Sequence, residues 1–463
     1  MAQEFDVVIL GGGPGGYAAA LYGAAAGLSI GMIEEARVGG TCLHRGCIPA
    51  KELLQTAEVL RTVSGAKEFG VDVGQQPMLD LATSQTRKQK VVNRLARGLE
   101  GLLAKRDVTV VPGTGRVVDA RERHVRVSDG SELRGGALVL ATGSTPRTLS
   151  GFEVDGGRVL HSDQVLALSE VPGRVVIVGA GAVGCEFASL LSDLGSEVTL
   201  VEALPGILPG VDPEVTDVVA RSFRKRGVRL QTNVRTTGIA GNRHELTVSY
   251  ETPEGPEQAV VDATIVCVGR RPRSEGIGLE GSGVAVDERG YVSVDPLMRT
   301  TMPGVYAVGD VVDTPQLAHV GFAEAIIAVK TILGERATPI DYGTVPWGIY
   351  CHPEVAFTGV TEEDARRLGH DVVTSVHHFA GNGRALIIGE PEGLVKVVAE
   401  RGGAILGVHI AGPWATELLA EGYLAVNWGA TAEEVATFVH PHPTLSELFG
   451  EAALSLTGRS LHA

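Results

Sequence analysis

The chain reads as an α/β protein with two strand–loop–helix–strand units, followed by a smaller α+β domain. Three observations predict this. Short apolar runs alternate with helix-forming stretches through most of the 463 residues, the pattern of parallel strands covered on both faces. A glycine-rich loop follows a strand at Gly11 and again at Gly179, and each time the next strand ends on an acid, Glu34 and Glu202. From about Tyr342 alternating strands mix with helices, and no such loop recurs. A chain this long exceeds one ordinary core and implies about three domains.

Residues 5–10 form an apolar run, read as a buried strand. It enters Gly11-Gly12-Gly13-Pro14-Gly15-Gly16, an Ala-rich helical stretch follows to Gly27, and strand 29–33 ends at Glu34. A Rossmann-like dinucleotide site requires this order. Gly11 makes the turn, Gly13 admits a pyrophosphate, Gly16 lets helix and strand pack, Pro14 suits a first helical turn, and Glu34 takes ribose hydroxyls. The unit returns as strand 174–178, a loop carrying Gly179, Gly181, Val183 and Gly184, and strand 198–201 ending at Glu202. Gly11 to Glu34 and Gly179 to Glu202 span the same interval, so two dinucleotides are expected.

Between the units, residues 77–105 read as a long amphipathic helix and 107–127 as short strands closed by an Asp129-Gly130 turn. Strand 138–141 ends in Thr142-Gly143, and Gly151, Gly156 and Gly157 mark a linker. The second unit closes near Gly269-Arg270-Arg271-Pro272. Strand 305–308 then runs into Gly309-Asp310 before a helix over 318–333. A Gly-Asp pair at a strand's C-terminal end sits where open sheets bind ligands, or is a plain turn.

The chemistry centres on Gly39-Gly40-Thr41-Cys42-Leu43-His44-Arg45-Gly46-Cys47-Ile48-Pro49-Ala50-Lys51. If the chain after Gly46 is helical, Cys47 and Lys51 share a face. Pro49 fits a first turn, so the cysteines lie near a helix N-terminus, where partial positive charge and Lys51 favour a thiolate. A redox disulfide is the expected role. No second close Cys or Cys/His pair completes a zinc set, so no metal is expected; two packed free thiols are the bland alternative. Arg45 is expected to lower the thiol pKa of the pair. Cys185, Cys267 and Cys351 stand apart and read as packing residues.

Near the C-terminus, His440-Pro441-His442-Pro443-Thr444-Leu445-Ser446-Glu447 holds its histidines extended, because a residue before proline avoids the helical region. Thr444 and Glu447 have capping-box spacing. Glu447 equally suits the orienting carboxylate of a histidine base, His442. His440 either assists His442 or satisfies a buried group.

A net charge of −15 argues against nucleic acid. Five cysteines do not make a secreted framework. The first residues lack a signal peptide's basic and apolar regions, and no apolar run reaches membrane-spanning length. A cytoplasmic protein with no membrane partner is expected.

Together these residues resemble the pyridine nucleotide-disulfide oxidoreductases over nearly the whole chain. The likeness rests on both glycine loops, the Cys42 to Lys51 stretch, Ala141-Thr142-Gly143, Gly269-Arg270-Arg271-Pro272, Gly309-Asp310 and His442-Pro443-Thr444-x-x-Glu447. It implies FAD at the first unit, bound by Gly11, Gly13, Pro14, Gly16, Glu34, Gly40, Thr41, Lys51, Thr142, Gly143, Gly309, Asp310 and Ala318. It implies NAD at the second, bound by Gly179, Gly181, Val183, Gly184, Glu202 and Gly269; Glu202 accepts ribose hydroxyls but repels a 2′-phosphate. Residues 1–150 and 273–341 would form the FAD domain, 151–272 the NAD domain and 342–463 the interface of a homodimer. Cys42 would exchange with substrate, Cys47 would lie against the flavin, Lys51 and Glu186 would pair near the cofactors, and His442 with Glu447 would serve the partner's disulfide. The implied substrate is dihydrolipoamide, borne on the lipoyl domains of acyltransferase subunits in 2-oxoacid dehydrogenase or glycine-cleavage complexes. The chain departs from the usual pattern at His44-Arg45, Ala50, Arg273 and Val320-Gly321-Phe322.

Overall fold

A computed structural model describes residues 2–241 and 245–462. The chain divides into two compact units. The first gathers Met1–Leu53, Ala82–Arg147 and Gly269–Tyr342; the second gathers Leu54–Leu81, Thr148–Val268 and Gly343–Ala463.

The first unit is built on a seven-stranded sheet. Strands Thr109–Pro112, Ile30–Glu34, Gln3–Leu10 and Glu132–Leu140 are parallel neighbours in that order. The second half of Glu132–Leu140 also pairs in parallel with Val305–Ala307, while its first half pairs with the antiparallel strand His124–Val127. Register explains why distant motifs meet. Leu10 lies opposite both Ile33 and Leu140, and Leu140 lies opposite Ala307. The next residues along each strand therefore come out at one sheet end: Gly11, Glu34, Ala141-Thr142-Gly143 and Val308-Gly309-Asp310. That is the ligand end of an open parallel sheet.

The apolar runs are unbroken because both faces are buried. Val7, Ile9 and Met32 pack with Ala19, Ala20, Ala325 and Ala328 on one side. Val8, Leu10, Leu138 and Leu140 form a second core on the other. Each valine, leucine, isoleucine or methionine among them contributes roughly 1.5–3 kcal/mol when fully buried. The helix read over 77–105 begins at Leu81 and runs to Lys105, with Pro77 outside it.

The second unit contains a five-stranded parallel sheet in the order Arg229–Gln231, Glu197–Val201, Arg174–Val178, Ala263–Val266, Val159–Leu160. It also holds three antiparallel strands, Arg235–Gly241, Leu246–Thr252 and Gly255–Val261, which the sequence reading left unassigned. A five-stranded antiparallel sheet follows, from Trp347–Ile349 through Glu354–Gly359, Ile405–Gly412 and Leu394–Glu400 to Val372–His378. Helices Ala415–Trp428 and Glu447–Leu456 share its core, through Leu419, Ala425, Phe449 and Ala452. Among the described residues no helix is long and apolar enough to cross a membrane.

Candidate active site

The first glycine turn is tightly closed. Gly13 is the N-cap of helix Pro14–Ala25, with Pro14 in the first position, so the first amides of that helix face outward toward any anion placed there. A Cβ on Gly16 would lie 1.9 Å from the Gly11 carbonyl oxygen, so only glycine lets helix and strand approach. The Glu34 carboxylate is fixed by two backbone donors, Gly12 N–H at 2.7 Å and Ala36 N–H at 2.8 Å. Its remaining lone pairs are open to ribose hydroxyls. Beside Glu34, a cavity of about 380 Å³ is lined by Ala36, Arg37, Val38, Leu103 and Val108; it suits an apolar, flat base.

Gly39 N–H donates to the Gly12 carbonyl at 2.8 Å. Gly40 takes φ +57, and a Cβ there would meet the Gly13 Cα at 2.6 Å. These contacts seat Thr41 and Cys42 directly on the turn. Cys42 belongs to the short helix Gly40–Arg45, and Cys47 opens the long helix Cys47–Gly65. Gly46 separates them, and its missing Cβ would sit 3.1 Å from the Thr41 carbonyl and 3.4 Å from the Cys42 Cα, so the two helices can fold back on each other.

Both cysteines are partly buried, and their side chains lie against each other. The Cys42 thiol is pushed well up by the Cys47 sulfur and then by burial, while the charge of Lys51 pulls it down. Tyr17 packs near both sulfurs; burial chiefly, with their negative charge, pushes its hydroxyl up to about 12. The departures from the family pattern have other tasks. His44 Nε2 bonds the Val38 carbonyl at 2.9 Å. Lys51 acts by its charge on Cys42, and Arg45 acts on Glu35, which is also paired with Arg273 at 2.5 Å.

Opposite this turn, Asp310 accepts from Ser144 Oγ at 2.6 Å, and Arg270 Nε donates to the same Ser144 Oγ at 2.6 Å. Thr142 Oγ1 donates to the Arg273 carbonyl at 2.7 Å, and the Gly143 carbonyl accepts from Arg273 N–H at 2.9 Å. Ala318 begins helix Ala318–Ile332. The outward amides of the helix turn that follows Pro14, the fixed Glu34, the adjoining cavity and the Asp310 carboxylate fit FAD.

In the second unit, Gly181 caps helix Ala182–Asp193, and a Cβ on Gly184 would again lie 1.9 Å from its turn, at the Gly179 carbonyl oxygen. Glu202 accepts from Ala180 N–H at 2.7 Å and Leu204 N–H at 2.9 Å. Gly181 faces open space and Val183 is 44% exposed. This set fits a nicotinamide dinucleotide. Glu186 is buried on the same helix and accepts from Tyr350 N–H at 3.0 Å. Gly269, expected with this turn, groups with the first unit, as does Lys51.

The C-terminal histidine segment resolves one ambiguity. His442 Nδ1 meets Glu447 Oε2 at 2.8 Å, and Asn382 Nδ2 donates to Glu447 Oε1 at 2.9 Å. Thr444 Oγ1 accepts from Glu447 N–H at 3.3 Å, half of a capping box, while the Glu447 carboxylate is spent on the histidine. His442 itself is 74% exposed, its other ring nitrogen directed away from the carboxylate. His440 pairs with a different acid, Glu421, at 2.8 Å. Asn382, Ser144 and Tyr17 escaped the sequence reading because each acts through a residue far along the chain.

Residues 5–325 match the family described as pyridine nucleotide-disulphide oxidoreductase, and residues 345–453 match its dimerisation domain. The dihydrolipoyl dehydrogenase of Bacillus subtilis is 41% identical, with 100% of each chain covered. That of Thermus scotoductus is also 41% identical, with 99% of each covered. Among solved structures, LpdA from Mycobacterium tuberculosis superposes with a TM-score of 0.91 at 28% identity, covering 98% of this chain and 100% of that one. RclA from Escherichia coli, a HOCl-induced flavoprotein disulfide reductase, gives 0.86 at 27%, covering 97% and 99%. The glycine turn, the thiol pair seated on it and these full-length likenesses lead to one conclusion: the chain belongs to the pyridine nucleotide-disulphide oxidoreductase family.

Proposed function

We propose that this chain oxidises the dithiol dihydrolipoamide and passes the electrons to NAD⁺. The observation that carries the reading is the Cys42–Cys47 pair, placed by Gly39 and Gly40 on the first dinucleotide turn with Lys51 acting on it.

The chain's own groups divide the work. His442, its Nδ1 held by Glu447, accepts the proton of a substrate thiol at Nε2, since only the thiolate is a nucleophile. The substrate thiolate attacks Cys42 Sγ of the Cys42–Cys47 disulfide; the S–S bond breaks and its electron pair stays on Cys47. The second substrate sulfur, deprotonated in turn, attacks the mixed disulfide and releases Cys42, so the substrate leaves oxidised and the pair reduced. FAD, when bound, relays two electrons between the pair and the nicotinamide. Lys51 steadies negative charge at Cys42. Glu202 favours NAD⁺ over NADP⁺ by charge, and no arginine follows it in Ala203-Leu204-Pro205-Gly206-Ile207-Leu208.

The proposal includes a homodimer, supported by the dimerisation domain over residues 345–453, with His442 serving the partner's thiols. It also includes a cytoplasmic setting and lipoyl-bearing acyltransferase subunits as the source of the dithiol. The division at residues 150, 272 and 341 into FAD, NAD and interface domains stands on the same footing, supported by the separate parallel sheets. In the test, purified holoenzyme mixed with dihydrolipoamide and NAD⁺ forms NADH, and NADP⁺ is a poor substitute. A colourless protein, or one that forms no NADH, sinks the reading.

A further inference from the structure

One buried acid in the first unit has no part in the chemistry above. Glu324, on the second turn of helix Ala318–Ile332, is fully inaccessible. A carboxylate in such a place must be hydrogen-bonded or it costs several kcal/mol. Its partners are specific. Oε2 accepts from the Gly309 N–H at 2.6 Å, and Oε1 accepts from the Tyr342 hydroxyl at 2.9 Å. Burial pushes its pKa up and the nearby Asp310 charge adds to this, against the pull of Thr314, the Gly309 amide and the Tyr342 hydroxyl.

Gly309 is where strand Val305–Ala307 leaves the sheet and turns into Asp310. It takes φ +72, a conformation that glycine adopts without strain but that nothing enforces. On one side Ser144 Oγ holds the Asp310 carboxylate. On the other, the Gly309 amide points into the protein, where only Glu324 receives it among the described hydrogen bonds. A carboxylate anchored to a helix core is a stiff acceptor, and the Tyr342 hydroxyl fixes its rotation. The aspartate that faces the cofactor thus depends on a second acid behind the turn.

We propose that Glu324 is a positioning residue for the flavin: by holding the Gly309 amide it fixes the turn that presents Asp310. The inference rests on the assignment of FAD to the first unit.

The test compares two events in the holoenzyme: flavin loss, followed by the rise of free-flavin fluorescence at constant temperature, and unfolding, followed by circular dichroism. Glu324→Leu keeps the side chain's bulk and removes both acceptors. Flavin loss is expected to quicken by about tenfold or more, the scale of one charged hydrogen bond, while the unfolding midpoint falls far less in proportion. Glu324→Gln retains an oxygen for Gly309 and is expected to release flavin within about threefold of the parent, less than that one bond is worth. Tyr342→Phe, which removes one of the groups that hold the carboxylate, should fall between the two, and it serves if Glu324→Leu fails to fold. Flavin loss unchanged in Glu324→Leu, or Gln as damaging as Leu, or loss and unfolding shifting in step in Tyr342→Phe, would overturn the proposal. A parent protein without flavin would instead overturn the assignment of FAD itself.

Discussion

The two glycine turns are copies in their chemistry and opposites in their surroundings. In each, the third glycine sits where a Cβ would lie 1.9 Å from the first glycine's carbonyl oxygen. In each, the strand-end glutamate accepts a backbone N–H of the turn at 2.7 Å and another two residues on. The first turn is roofed by its own chain: Gly39 bonds Gly12, Gly40 lies against Gly13, and Gly321 packs near Gly15. The second has Leu208 N–H on the Ala180 carbonyl at 2.8 Å, but Gly181 looks into open space. The same dinucleotide chemistry is therefore used in two ways. A roofed turn suits a cofactor that stays, and an open one suits a cofactor that must arrive and leave in every cycle.

The sharpest way to break that contrast is to add one methyl group to each turn. Gly16→Ala forces a contact no backbone can keep, in a turn that packs on the thiol segment and the sheet core. It should yield protein without flavin, or none. Gly184→Ala makes the same clash in the open turn, with overpacking of about 1–3 kcal/mol or more. It should give a yellow protein whose KM for NAD⁺ rises on the order of tenfold or more. Equal loss of flavin in both variants would mean that the roof has no bearing on cofactor retention.

What the first turn carries and the second lacks is the thiol pair. Cys47→Ser should keep flavin absorbance and NAD⁺ affinity while dihydrolipoamide oxidation falls by about 10³-fold or more, as losing one member of a concerted set does. Glu447→Gln touches neither turn. It should lower kcat with dihydrolipoamide by roughly 10²-fold, the lower range for a general base, and leave the affinities for both cofactors as they are. A loss confined to KM for NAD⁺ in either variant would contradict the division of labour.

The glutamates give a smaller and more even test. Glu202→Gln should raise KM for NAD⁺ about tenfold, one charged hydrogen bond's worth, and narrow the preference over NADP⁺. Glu34→Gln should weaken flavin retention by a similar factor without moving KM. Crossed effects would show that the two turns do not act separately.

How much of this was legible follows from distance along the chain. The turns were readable because strand, glycines and acid are close neighbours in sequence, and the interval between Gly11 and Glu34 is dictated by one helix and two strands. His442 and Glu447, five residues apart, were readable for the same reason; spacing alone could not say whether the carboxylate would cap a helix or hold a histidine. The supports were hidden. Ser144 reaches Asp310 across 166 positions, Arg273 reaches Glu35 across 238, and Asn382 reaches Glu447 across 65. Such pairings come from the assembled tertiary fold, which no local pattern carries. Glu324 resembles any solvated helix acid until the sheet is assembled around it.

Arg45, the cation nearest the thiols in sequence, supplies the finest test of the first turn. It is two residues from Cys47, closer than Lys51, and charge alone would nominate it as the group that activates the thiols. Position on a helix sets it apart from Lys51. Arg45 ends the short helix Gly40–Arg45 and its field falls on Glu35. Lys51 stands one turn along the helix that Cys47 opens, and its charge acts on Cys42. A positive charge favours the thiolate, so removing it must move the titration to higher pH. Lys51→Met should shift the pH dependence of thiol alkylation in the reduced holoenzyme upward, and Arg45→Ala should leave it where it is. If the arginine variant shifts the curve and the lysine variant does not, the cation serving the pair belongs to the short helix before Cys47 rather than to the long helix that Cys47 opens.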